Sequence, residues 1–196
     1  MLRLIALTGL LLAPCAASAQ IESPTMLPDV GQVMDVQNGS SLRLDAAVGP
    51  EGVVVAFWST ACPWADRYAP RLQELIEGYA PAGVGFVLVA EGTPADTTGG
   101  VGTTRRRPAA AGLSAPYVAD ADGTLRAALG ARSAPHVFFF GPDRTLVYDG
   151  AIDDSPADAD RVQVSYLRQA MDQSIAGIPV EITRTQAFGC TIRERP

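Results

Sequence analysis

The chain has no lysine, a single histidine (His136) and three cysteines among 196 residues. Without lysine there is no Schiff-base chemistry on a side-chain amine and no phosphate-loop lysine, and one histidine cannot build a multi-histidine metal centre. Positive charge is also short. Fifteen arginines against 21 acidic residues give a net charge of −6, which disfavours a basic face and excludes nucleic acid as an expected partner. Past the first twenty residues no long apolar run occurs, so no transmembrane anchor is expected. Nothing in this inventory calls for a cofactor or a metal.

Met1 and Arg3 precede the apolar stretch Leu4 to Ala13, and Ala17-Ser18-Ala19 stands before Gln20. A short positive start, an apolar segment too short to span a bilayer and an A-x-A site describe a cleaved secretory signal over residues 1–19. Lipoprotein processing at Cys15 matches less well, because Pro14 occupies a position that such sites fill with a small residue. The expected location is periplasmic or secreted, after cleavage near Ala19. Two cysteines, Cys62 and Cys190, then remain in a compartment where disulfides persist. Whether their sulfurs meet is not decided by spacing.

Residues 20–50 mix turn residues with brief apolar alternation, as in Ser41 to Asp45, and form an expected N-terminal arm with one or two short edge strands. Gly52 to Trp58 is a continuous, β-branched run that suits a central buried strand. Pro63 fits a first helical turn, and Trp64, Tyr68, Leu72, Leu75, Ile76 and Tyr79 follow at helical spacing, with an end near Pro81 to Gly83. Val84 to Ala90 is a second buried strand. Residues 91–112, rich in Thr, Gly, Pro and Ala and carrying Arg105 to Arg107, are expected to be an inserted loop or weak helix. A short strand over Ala115 to Ala119 and a short helix over Asp122 to Ala131 come next. Val137 to Phe140 and Thr145 to Tyr148 flank the turn Gly141 to Arg144 as a hairpin. A last helix is expected over Ala159 to Ala176, with Val162, Tyr166, Leu167, Ala170 and Ile175 on its inner face. Residues 51–177 thus make one α/β domain, and residues 178–196 form a tail that carries Cys190.

Cys62 falls where the first core strand gives way to its helix. A thiol at that point feels the positive end of the helix dipole and unpaired backbone N–H groups, both of which favour thiolate over thiol. The run Phe57-Trp58-Ser59-Thr60-Ala61-Cys62-Pro63, the motif Ala134-Pro135-His136 before the strand Val137 to Phe140, and Gly189-Cys190 after Ile178-Pro-Val180 resemble the thioredoxin-like superfamily. The likeness is to its peroxiredoxin-like branch, the AhpC/TSA-type redoxins, and covers roughly Val30 to Gly177. It implies a thioredoxin-like fold, a central mixed β-sheet flanked by helices, with a C-terminal tail.

The resemblance also implies roles. Cys62 would be the redox thiol and Pro135 a cis-proline beside it, whose backbone pairs with a bound peptide or thiol substrate. Ala65 stands where a Cys-x-x-Cys motif has its second thiol, so Cys190 on the tail becomes the candidate resolving cysteine; a purely structural bridge that staples the tail is the equal alternative. Ser59 replaces the threonine of the peroxiredoxin pattern Pro-x-x-x-Thr-x-x-Cys, Val55 replaces its proline, Pro135 falls near the position of the peroxide-holding arginine, and Arg132 either substitutes for that arginine or is a solvated charge at the end of a short helix. His136 would face Cys62 and either exchange a proton with it or stand apart as a non-catalytic side chain. Trp58 and Trp64 either pack the strand and helix or form a substrate platform. Asp149, Asp153 and Asp154 read as surface and turn residues, and Asp120 to Gly123 as a turn leading into a helix cap.

Two functions follow. In the first, Cys62 attacks a disulfide or a small peroxide, and Cys190 or an external thiol reductant resolves the product; the partners are thiol or disulfide proteins. In the second, a permanent Cys62–Cys190 bridge makes the chain a binding or scaffold module.

Overall fold

The computed structural model describes residues 26–91 and 112–192. The expected signal segment and the inserted loop at 92–111, with Arg105 to Arg107, lie outside the described residues. Strand β3 (Gly52–Trp58) is buried at every position because it is flanked on both sides, parallel to β4 (Val84–Glu91) and antiparallel to β7 (His136–Phe140). Outward from β4 come β5 (Tyr117–Asp120), parallel, then β1 (Gln32–Asp35) and β2 (Ser41–Arg43), antiparallel; beyond β7 lies β8 (Leu146–Gly150). The seven strands run in the order β2-β1-β5-β4-β3-β7-β8. The arm therefore extends the main sheet rather than standing apart from it.

Side chains alternate across each strand, so the sheet has two cores. On one face Val54, Ala56, Trp58, Leu88, Val137, Phe139 and Tyr148 pack with helix α1 (Pro63–Tyr79) and helix α3 (Tyr166–Ile175). On the other, Val53, Val55, Phe57, Val87, Val89, Phe138 and Phe140 pack with Leu125 and Leu129 of helix α2 (Thr124–Leu129). Helix α1 buries Tyr68, Leu72, Leu75, Ile76 and Tyr79 of the expected stripe, together with Ala65 and Ala69, while Trp64 is only half-buried. Burial of several such side chains, at about 25 cal/mol per Å2 of apolar surface, is what holds helix to sheet.

The last helix is shorter than expected. Ala159–Arg161 is a 3-10 turn, and the α-helix starts only at Tyr166. Aspartates upstream compete for the backbone N–H groups: Asp158 accepts from Asp160 N, and Asp154 from Gln163 N, each at 3.0 Å. Leu167, Ala170 and Met171 form the inner face, while Ile175 is exposed.

Two expectations about acidic residues need correction. Asp149 and Asp153 are buried, not surface turn residues. Arg71 Nη1 reaches Asp153 Oδ2 at 2.5 Å and the Ser155 carbonyl at 3.0 Å, and Tyr68 donates to Asp153 Oδ1 at 3.4 Å, tying α1 to the loop after β8. Burial pushes the Tyr68 hydroxyl up from its ordinary value, with the adjacent Asp153 charge acting the same way. Asp120 behaves as expected of a helix cap: its carboxylate accepts from Leu125 N and Arg126 N at 3.0 and 2.8 Å, while burial pushes its pKa up.

Candidate active site

The chain leaves β3, turns through Ser59 to Ala61, and enters α1 at Pro63, which makes Cys62 the residue that caps the helix. Cys62 N donates to the Ser59 carbonyl at 3.1 Å, and the Cys62 carbonyl accepts from Ala65 N at 3.0 Å. Its sulfur makes no capping bond; it is joined to Cys190 in a disulfide with Cα atoms 5.9 Å apart. Cys190 arrives on β9 (Cys190–Thr191), which pairs antiparallel with β6 (Ser133–Ala134), Cys190 opposite Ala134. The bond from Ala134 to Pro135 is cis. Helix cap, cis-proline edge and tail cysteine therefore converge on one point.

Cys62 is 0 % exposed, whereas Cys190 is half-buried. The expectation of an open thiol is corrected in this disulfide form: the tail itself covers the sulfur. Three kinds of contact hold it there. Thr183 and Thr185 exchange backbone hydrogen bonds with Asp149 at 3.1 and 3.0 Å, continuing the sheet beyond β8. Thr185 Oγ1 lies 2.6 Å from the Tyr148 hydroxyl and accepts from Ala151 N at 3.0 Å. Gly150, at φ 152°, permits this approach, since a Cβ there would lie 2.9 Å from Thr185 N. Finally, Phe188 meets Trp64 edge-on, and Ile192 N donates to the Arg132 carbonyl at 2.9 Å.

Gly189 is the tightest position in the tail. A Cβ there would overlap the Ala134 carbonyl and lie 2.7 Å from Pro135 N. Those are backbone atoms that cannot swing aside. Only glycine lets the tail approach the cis-proline edge closely enough for Cys190 to reach Cys62.

His136 is not part of this constellation. It shares a sheet face with Phe138 and Phe140, the face of the α2 core, whereas Cys62 belongs to the α1 core with Val137 and Phe139. Its ring stacks on Phe138 at 4.3 Å, and its Nε2 lies 2.9 Å from Asp149 Oδ1, whose Oδ2 pairs with Arg184 Nε at 3.1 Å. The expectation that the residue after the cis-proline faces the thiol fails because adjacent strand residues point to opposite faces.

Trp58, 2 % exposed, packs the α1 core, and its carbonyl accepts from the Tyr117 hydroxyl at 3.1 Å. Trp64 is half-buried and meets Phe188 of the tail. Ser59 is half-buried in the turn before Cys62, and Arg132 is exposed. Sequence reasoning missed Phe188, Thr185, Arg184 and the buried Asp149. The signal for Phe188 was present: it is the sole aromatic residue after Tyr166.

The AhpC/TSA family model matches residues 26–149. An uncharacterised conserved protein from Geobacillus kaustophilus is similar at 26% identity, over 95% of this chain and 99% of that one, with a TM-score of 0.79. A hypothetical protein from Sinorhizobium meliloti is similar at 29% identity over 88% and 94%, with a TM-score of 0.75. The peroxidoxin BcpB of Mycobacterium tuberculosis shares the fold at 16% identity over 81% and 99%, with a TM-score of 0.58. No curated protein matches significantly. The family match extends over more than half of the residues and agrees with the mixed sheet described above, so the chain belongs to the AhpC/TSA family, is thioredoxin-like in fold, and has support for a thiol-dependent redox role.

Proposed function

We propose that the protein is a periplasmic or secreted thiol oxidoreductase in which Cys62 is the reacting thiol and Cys190 the resolving one. The observation that carries this reading is the disulfide between the cap of α1 and the strand beside the cis-proline. In the reduced state the helix N-terminus stabilises a Cys62 thiolate. That thiolate attacks a disulfide, forming a mixed disulfide and expelling the second sulfur as thiolate; Cys190 then attacks Cys62 Sγ, closes the bridge and releases the partner's cysteine. With a peroxide, the S–O bond forms as O–O breaks, and Cys190 displaces water from the sulfenic acid. Either way the two cysteines supply two electrons, which two equivalents of an external thiol, or one dithiol, restore. Because Cys62 is covered and Cys190 is half-buried, the first thiol attacks Cys190 and Cys62 leaves as the stabilised thiolate; a second thiol then attacks the mixed disulfide, freeing Cys190 and leaving the two external thiols joined as a disulfide. Periplasmic or secreted placement rests on the residues before Gln20. For the peroxide branch Ser59, half-buried before Cys62, offers the hydroxyl of the peroxiredoxin pattern, while Arg132 is exposed.

A second reading has its own support. Complete burial of Cys62, with non-covalent anchors along the tail, favours a permanent structural bridge in a scaffold module. Mass spectrometry before and after mild reductant or a peroxide pulse separates the two, on wild type, Cys62→Ser and Cys190→Ser. Ready reduction, and sulfenic or sulfinic acid at Cys62 in Cys190→Ser, support the enzyme. A bridge that neither treatment alters supports the scaffold.

A further inference from the structure

We propose that the cleft closed by residues 188–192 is a recognition site for an extended Gly-Cys segment of a partner polypeptide, and that the protein's own tail is a built-in copy of that ligand. The inference rests on the proposed reactivity of Cys62 and deepens it by naming the class of disulfide attacked.

Three positions around Cys190 are read by the body of the protein. Immediately before the cysteine, the Ala134 carbonyl and Pro135 N exclude any side chain, so glycine is required. Two residues before it, Phe188 stands edge-on to Trp64 with ring centroids 4.8 Å apart. Two residues after it, Ile192 is 6 % exposed and shares the apolar cluster of Leu125, Leu129 and Ala131. Between these, recognition is by backbone. The pairs Ala134↔Cys190 and Ser133↔Thr191, with the bond from Ile192 N to the Arg132 carbonyl, are met by any extended chain laid antiparallel along β6. The cleft therefore selects an aromatic residue, glycine, cysteine, any residue and an aliphatic one, in that order.

The tail can yield its place. Phe188 is 44 % exposed, and the exposed stretch 175–179 contains Gly177 at φ 67°, so the strap begins in a solvent-facing turn. When Cys62 is reduced, a partner disulfide whose sulfur lies in such a segment occupies the strand position. The Cys62 thiolate forms a bond to that sulfur, the partner's S–S bond breaks, and its other sulfur departs with the electron pair as thiolate. Return of the tail brings Cys190 onto Cys62 Sγ, releases the partner cysteine reduced, and restores the bridge. Two electrons pass to the partner, and tail and partner compete for one cleft.

The test uses the chain from Gln20 onward carrying Cys190→Ser, in which Cys62 is the sole cysteine, and peptides of the sequence of residues 186–192, activated at cysteine as the mixed disulfide with thionitrobenzoate. Release of thionitrobenzoate reads attack by Cys62. The peptide bearing Gly189→Ala is expected to react about tenfold or more slowly, because backbone overlap cannot relax. The peptide bearing Phe188→Ala is expected to react about threefold more slowly. The small disulfide dithiobis(nitrobenzoate) reports thiol reactivity without peptide recognition. Equal rates for all three peptides overturn the cleft while the oxidoreductase reading stands; silence of Cys62 toward every disulfide overturns both. The same series on a Cys190→Ala chain covers a failure of Cys190→Ser to fold.

Discussion

Phe188 and Trp64 meet edge-on at 82°, and each lies two residues from the cysteine it accompanies, Cys190 on the tail and Cys62 at the helix cap. The ring pair thus ties the strap to the first turn of α1. Replacing Phe188→Ala removes about 0.5–1.5 kcal/mol of aromatic contact, besides its burial. At a fixed ratio of reduced to oxidised glutathione, the variant is expected to show a reduced fraction several-fold higher than wild type, read by alkylation and mass spectrometry. An unchanged fraction would mean that the rings contribute nothing to closure.

Thr185 anchors the same strap farther back. Thr185→Val leaves the buried Ala151 N–H without its acceptor, at about 1–3 kcal/mol. A fall of several degrees in Tm is expected from calorimetry, and a Thr185→Ser variant is expected to restore most of it. Loss without rescue by serine would point instead to the methyl group.

Arg71 lies along the Tyr68 ring, 4.1 Å from its centroid, and pairs with the buried Asp153. Arg71→Ala leaves an uncompensated carboxylate, which costs about 3 kcal/mol. Urea unfolding should show a lower midpoint at unchanged slope, and a slope change would mean that α1 and the loop after β8 come apart before the rest.

His136→Gln addresses the opposite sheet face. His136 is 9 % exposed, and its Nδ1 has no hydrogen-bond partner among the described residues, so its bond to Asp149 and its stacking on Phe138 define its role as packing. Stability is expected to fall by about 1–2 kcal/mol, since a bond to a buried charge is weakened. The rate at which reduced Cys62 reacts with a small disulfide should stay within about twofold, well under the tenfold that 1.4 kcal/mol represents. A large rate loss at unchanged stability would return His136 to the redox site.

Alkaline pH provides a further check. Burial raises Tyr68 and Tyr148 above their ordinary value of 10.0, and burial together with the Asp172 hydrogen bond pushes Tyr79 up to about 12. A raised folded-state pKa means that the folded chain holds its proton longer than the unfolded one, so stability present below pH 10 is lost as pH rises through the folded values. Denaturant midpoints should decline from about pH 10 upward. Tyr79→Phe should flatten part of that decline, and an unchanged profile would remove Tyr79 from the account.

Much of the architecture was legible because the relevant patterns are local. The unbroken Val-rich run at β3, the stripe of Tyr68, Leu72, Leu75 and Tyr79 on α1, and turn residues between Phe140 and Thr145 each specify an element with few neighbours needed. The position of Cys62 at a helix start belongs to the same class. The face on which His136 lies was not legible, since β7 is apolar on both sides and carries no polar alternation to mark one. Nor was the early end of helical periodicity before Tyr166, where aspartates claim the backbone N–H groups.

The linear chain by itself determined a helix-capping cysteine, a proline before the β7–β8 hairpin and a Gly-Cys pair in the tail, since each depends on residue type and immediate neighbours. Only the tertiary structure decided that these three meet, that Gly189 is required by a carbonyl 55 positions earlier in the chain, and that the tail seals the sulfur it is bonded to. Contacts between segments so far apart depend on the twist and stacking of the whole sheet, which no local pattern records.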